Sequence, residues 1–162
     1  MHLKPVDLQE SLELCVAFRR DAHLLSQGVE VEFNVEECIQ WFLKITSDPS
    51  CGFEHLWLND RIIGQIEYRS AIQKERECFG YINLLYLLPE YRGQGYGLQL
   101  QHYMFQQFIA QECSHAYLRY FPQNLAAGRF YAKHGWQRVG LRDAKGQVMI
   151  NRFGSLDQFG HS

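Results

Sequence analysis

Gly93, Gly95 and Gly97 alternate at the end of the stretch Leu84-Leu85-Tyr86-Leu87-Leu88-Pro89-Glu90-Tyr91-Arg92-Gly93-Gln94-Gly95-Tyr96-Gly97. The apolar residues ahead of them read as a buried strand, and Pro89 stops it. The residues that follow, Leu98 to Phe105, read as the first turns of a helix. Glycine lets the backbone bend tightly and bring its N–H groups close to a ligand. A helix that starts here aims its positive end and its unpaired N–H groups at the same spot. Such a spot takes an anion, and phosphate suits it best. Arg92 adds a fixed positive charge at its edge. The nucleotide P-loop requires Gly-Lys-Ser/Thr after the loop, which is absent. The dinucleotide fingerprint requires a third glycine where Leu98 stands. From these residues alone, a turn that needs glycine only for packing is an equal reading.

A second stretch separates the two readings: Asn124-Leu125-Ala126-Ala127-Gly128-Arg129-Phe130-Tyr131-Ala132-Lys133-His134-Gly135-Trp136. Arg92-x-x-Gly95-x-Gly97 resembles the pyrophosphate loop of the GCN5-related N-acetyltransferases. Asn124, Ala127, Phe130, Tyr131, Gly135 and Trp136 resemble the same family's second motif. The order and separation also match, and the resemblance spans roughly residues 60–140.

The resemblance implies an α/β fold: a mixed, mostly antiparallel sheet with helices on both faces and a central strand pair that splays apart. It implies acetyl-CoA as acyl donor and an acetyltransferase activity. Arg92, Gly93, Gln94, Gly95, Tyr96, Gly97 and Leu98 would hold the pyrophosphate. The main chain around Tyr86, Leu87 and Leu88 would pair with the pantetheine arm like an added strand. A bulge or splay there would free an N–H to polarise the thioester oxygen. Asn124 and Ala127 would line the arm, and Asn124 also suits a helix N-cap. Tyr131 is the expected proton donor to the leaving thiolate, since a phenol of pKa about 10 can protonate a thiolate of about 8.5 at close range.

The acceptor amine poses a harder problem, because an alkylamine of pKa about 10 is mostly protonated at neutral pH. Many family members carry a glutamate on the strand before the loop. This strand offers Tyr81 and Asn83 instead, neither a good base. Glu67, on the adjacent strand, is the substitute, acting directly or through water; the competing expectation is a surface pair with Arg69 or Lys74. Glu30 and Glu32 sit in an acidic linker that would border the acceptor. The acceptor itself stays open between a small amine and a peptide. Two other readings are a non-catalytic acyl-CoA sensor and a transferase for another acyl chain or acceptor. The histidines show no ligand spacing, so no metal is expected.

Composition agrees with a single domain over residues 1–162, with a loose tail from Ser155. A net charge of −2 without a basic run argues against nucleic acid. No segment is long and apolar enough to cross a membrane. No leader is expected after Lys4 and Pro5, so a cytoplasmic protein is the default. Cys15, Cys38, Cys51, Cys78 and Cys113 form an odd set without C-x-x-C spacing, which fits a reducing compartment and buried thiols. The resemblance also leaves a homodimer open, paired as in many members of the family through sheet edges or the last hairpin.

The expected elements follow from caps and periodicity. A short strand occupies 3–6. Asp7 and Glu10 start a helix that ends before Gly28. Asn34 and Glu37 start another, with Cys38, Trp41, Phe42 and Ile45 inward. Strands are expected over 53–58 and 61–70, with Ile62, Gly64, Ile66 and Tyr68 on one face and Ile63, Gln65, Glu67 and Arg69 on the other. Gln73 to Glu77 reads as a charged loop, and 78–88 as a central strand. Then come a helix over 96–111, a strand over 115–121, a helix over 124–134, and a closing hairpin of 136–141 with 147–153.

Overall fold

The computed structural model describes residues 2–153, so the tail expected from Ser155 lies outside the described residues. The elements are β1 (His2–Pro5), α1 (Leu8–Gln27), α2 (Val35–Ser47), β2 (Cys51–Leu58), β3 (Arg61–Lys74) and β4 (Glu77–Leu87). A 3-10 turn (Pro89–Tyr91) leads to α3 (Tyr96–Ala110), β5 (His115–Tyr120), α4 (Leu125–Lys133), β6 (Gln137–Asp143) and β7 (Gly146–Asn151). The helix starts follow their caps. Asp7 accepts from the N–H groups of Gln9 and Glu10, Asn34 from that of Glu37, and Asn124 from that of Ala127.

The strands form one seven-stranded sheet in the order β1-β2-β3-β4-β5-β7-β6. Every neighbouring pair is antiparallel except β4 with β5, which α3 connects as a crossover. One face carries α3 and α4. There Leu100, Met104, Phe105 and Phe108 bury against Ile66, Ile82, Leu118, Trp136 and Met149. The other face carries α1 and α2, whose Cys15, Val16, Cys38, Phe42 and Ile45 pack on Phe53. Phe18 of α1 reaches Leu84 and Tyr86 of β4.

Two expectations need correction. The segment Gln73 to Glu77 is no charged loop: β3 runs to Lys74, β4 starts at Glu77, and only Glu75-Arg76 turns. The pairings Gln73↔Cys78 and Lys74↔Glu77 satisfy this backbone while its charges face outward. The faces of β3 also differ. A register shift between Leu56 and Trp57 makes Ile63 an extra residue opposite β2. Ile63 therefore joins Ile66 and Tyr68 under α3, and Ile62 turns to the α1 face beside Phe18 and Tyr86.

Candidate active site

The central strands part where the resemblance requires. β4 pairs with β5 only from Phe79↔His115 to Ile82↔Leu118. Beyond that point β4 continues to Leu87 with no strand on its β5 side. A bulge marks the parting. Glu67 of β3 stands opposite Leu84 and Tyr68 opposite Ile82, so Asn83 is the extra residue. Its Oδ1 is buried without a hydrogen-bond partner. The bulge thus lies at Asn83, a few residues before the expected Tyr86–Leu88, while the splay extends over those residues.

The main chain at the strand end is oriented into this gap. Leu88 N–H donates to Ile63 O on β3 at 2.8 Å. In a trans peptide the C=O points opposite to the following N–H, so Leu87 O points away from β3. That is the edge an extended ligand would pair with. Leu87 buries its side chain under α3, and Leu88 is half-buried against the same cluster.

The glycine loop follows directly. Gly93 and Gly95 have φ of 74° and 93°, values that favour glycine, and a Cβ on either would meet nothing within 4 Å. Space above them is open for a ligand. Gly95 is the N-cap residue of α3 and no side chain caps that helix. The first N–H groups of Tyr96, Gly97 and Leu98 are thus available to an anion. Gly97 serves another purpose: a Cβ there would stand 3.1 Å from the Phe130 ring of α4. Gln94 turns back, its Nε2 donating to Glu90 O at 2.7 Å. Tyr96 stacks edge-on with Tyr91.

On α4, Asn124 uses its Oδ1 for the cap at 3.2 Å from Ala127 N, which leaves its NH2 group for another acceptor. The capping and ligand-facing roles expected for Asn124 are therefore compatible. Tyr131 packs between Tyr120 and Trp136, with ring centroids at 5.4 and 5.9 Å. Burial first, and the neighbouring Tyr120 second, push its phenol up to about 12. Its hydroxyl makes no hydrogen bond among the described residues. Gly128 is a close-approach site, since a Cβ there would lie 3.3 Å from the Tyr120 hydroxyl.

Glu67 is not a surface residue paired with Arg69 or Lys74. It is fully buried, and its ion pair is with Arg19 of α1. Arg19 Nε reaches both carboxylate oxygens at 3.2 Å, Trp41 Nε1 donates to Oε1 at 2.6 Å, and Gln65 Nε2 to Oε2 at 3.0 Å. His55 extends the cluster between Gln65 and the Cys15 thiol. Glu30 and Glu32 are exposed on the linker after α1.

Sequence patterns did not bring out Asp21. Its Oδ2 accepts from the Tyr86 hydroxyl at 2.5 Å and from the Arg92 guanidinium at 3.2 Å. Burial first, and Asp21 second, raise the Tyr86 phenol above its ordinary range. The signal was present: Asp21 lies three residues after buried Phe18, and Arg19 four after buried Cys15, so both are charged residues on an apolar stripe. Gln101 was missed likewise. It is buried on α3, accepts from Trp136 Nε1 at 2.8 Å and donates to His134 O at the end of α4.

Among the described residues no cluster of histidine, cysteine, aspartate and glutamate could hold a metal, and no helix is long and apolar enough to cross a membrane.

Known proteins share this fold. The fold superposes on the PaiA N-acetyltransferase of Thermoplasma acidophilum in complex with coenzyme A, with a TM-score of 0.71 and 19% identity over 94% of this chain and 98% of that one. An acetyltransferase from Streptococcus agalactiae gives a TM-score of 0.76 at 13% identity, covering 94% and 98% of the two chains. The ribosomal-protein-alanine N-acetyltransferase of Brucella melitensis gives 0.72 at 14% identity, covering 94% and 100%. No curated protein matches in sequence. At these identities the structures speak for the fold alone, but the sequence itself matches the Acetyltransferase (GNAT) family over residues 17–136. By that match, which spans most of the chain, the chain belongs to the GNAT acetyltransferase family.

Proposed function

We propose that this acetyltransferase moves the acetyl group of acetyl-CoA to a primary amine by direct attack in a ternary complex. The open space over Gly93 and Gly95, at the uncapped start of α3, fits a diphosphate. The unpaired edge of β4 after Ile82 fits the amides of the pantetheine arm. Arg92, Gln94, Tyr96 and Leu98 complete the loop, and Asn124 and Ala127 flank the arm.

The observation that carries the reaction is Tyr131. It packs on Tyr120, the last residue of β5 and beyond the final β4 pairing, and burial keeps its phenol protonated at neutral pH. As the amine nitrogen forms its bond to the acetyl carbon, the carbon–sulfur bond breaks and Tyr131 gives its proton to the sulfur. The proton lost by the amine nitrogen passes to water, and water returns a proton to the Tyr131 phenolate, which closes the cycle. Glu67 is already engaged by Arg19, Trp41 and Gln65. That geometry supports a role in holding α1 and α2 against the sheet on the acceptor side more than a role as base. The acceptor is a small amine or a peptide amine, and the exposed Glu30 and Glu32 suit its positive charge. The cysteines, all free, suit a reducing, cytoplasmic setting.

Isothermal titration with acetyl-CoA, and with CoA for comparison, tests the reading. Saturable binding at the micromolar level is expected, followed by CoA release with members of an amine panel. No binding at millimolar acetyl-CoA would reduce the glycine loop to a structural turn.

A further inference from the structure

Arg92 does not point into the space over Gly93 and Gly95. It folds back along the end of β4. Its Nε donates to Leu87 O at 2.8 Å, its guanidinium lies 5.3 Å from the centre of the Tyr86 ring, and it pairs with Asp21 Oδ2 at 3.2 Å. Leu87 O is the strand carbonyl that faces the gap between β4 and β5. The Arg92 side chain therefore occupies the last carbonyl of the edge that the pantetheine arm would need. Asp21 holds it there, and the Tyr86 hydroxyl holds Asp21.

The pair is only partly exposed, at 37% for Arg92 and 38% for Asp21, so its strength is modest. A diphosphate bound one residue away, at Gly93, carries more charge than one carboxylate and accepts from a guanidinium in a fork. The exchange is sterically open, because nothing stands over Gly93.

We propose that Asp21 is a positioning residue that competes with the donor's diphosphate for Arg92. In the free protein Asp21 keeps Arg92 over Leu87 O. When the diphosphate binds, Arg92 moves to it, and the movement uncovers the β4 edge and leaves the Asp21 carboxylate without its cation. That carboxylate then stands beside Tyr86 on the α1 face of the strand end. An acceptor with a positive charge is favoured there only after the acyl donor has bound. This rests on the assignment of the glycine loop to acetyl-CoA.

The test is a titration of acetyl-CoA into the wild type, Asp21→Asn, Arg92→Gln and the double variant, with melting temperatures to establish folding. Asp21→Asn should bind acetyl-CoA about two- to fivefold more tightly, the range for a partly exposed ion pair. Arg92→Gln should bind more weakly, and adding Asp21→Asn to it should change nothing further. Tyr86→Phe removes a donor from Asp21, leaves Asp21 a stronger partner for Arg92, and should weaken binding. A merely structural Asp21 would not give opposite signs for Asp21→Asn and Tyr86→Phe. Unchanged or weaker binding in Asp21→Asn would overturn the proposal. If Asp21→Asn does not fold, Tyr86→Phe decides, and equal or tighter binding there overturns it. Failure of the wild type to bind is a different result, which removes the acetyl-CoA assignment itself.

Discussion

Arg19 Nε lies 3.2 Å from each carboxylate oxygen of Glu67, and this ion pair joins α1 to the middle of β3. Glu67 is fully buried, so removing its partner strands a charge in the core. Arg19→Ala should cost about 3 kcal/mol in chemical denaturation. Glu67→Leu combined with Arg19→Met should cost much less, because neither charge is left. If Glu67 were instead the base, Glu67→Gln would depress kcat while stability stayed close to that of the wild type.

The glycine loop can be tested without disturbing the fold. Gly95 has a φ of 93° and open space above it. Gly95→Glu should cost about 1–3 kcal/mol in backbone strain. Its carboxylate would fill the anion site, and acetyl-CoA binding in calorimetry should fall by about a hundredfold, or about 2.7 kcal/mol. An unchanged circular dichroism spectrum would show that the loss is local.

Tyr131→Phe should leave acetyl-CoA affinity nearly unchanged and reduce kcat about a hundredfold, the lower end for a lost general acid. Steady-state kinetics with the best amine would show this. Unchanged turnover would remove Tyr131 from the mechanism.

Stability should fall in alkali. Burial, as the first cause, pushes Tyr103 and Tyr131 up to about 12 and raises Tyr68 and Tyr86 as well. Cys15 moves to about 12 and Cys38 and Cys113 to about 11, from 9.0. A folded-state pKa above the unfolded one means that the folded chain holds its proton longer, so this stability is complete below pH 9 and is lost from there towards pH 12. Melting temperatures at pH 8, 9.5 and 11 should decline in that order.

The same burial governs thiol chemistry. Cys15, Cys38 and Cys113 should react slowly with a maleimide at pH 7.5, because little thiolate forms and the sulfurs are covered. Labelling should be faster at the half-buried Cys78, with half-buried Cys51, whose thiol burial also raises, in between, as peptide mass mapping would show.

Local signals in the sequence were reliable. Asp7, Asn34 and Asn124 cap the helices they were expected to cap, because a cap is a contact between residues two or three apart. The glycine spacing located the loop for the same reason. The bulges at Ile63 and Asn83 were illegible. Ile63 sits in a run of buried residues, and Asn83 is flanked on both sides by apolar ones, so in neither place does an extra residue show as a break in a sequence alternation. The surroundings of Glu67 were hidden differently. Its partners Arg19 and Trp41 come from helices 48 and 26 residues away, and only the packing of both helices on β3 brings them together. Asp21 with Tyr86, 65 residues apart, is a case of the same kind.

The register after Asn83 also limits how this chain can vary. Ile82 faces α3, and so do Leu85 and Leu87, while Leu84 and Tyr86 face α1. Deleting Asn83 would remove the bulge and keep these sets, because Ile82 and Leu84 already stand opposite consecutive residues of β3. Inserting one residue after Leu84 would instead exchange the faces of everything that follows. Tyr86 would turn away from Asp21 and Phe18, Leu85 and Leu87 would lose their helix, and the carbonyl now at the gap would point at β3. Between Leu84 and Pro89, therefore, an added residue is worse tolerated than a change of any one side chain.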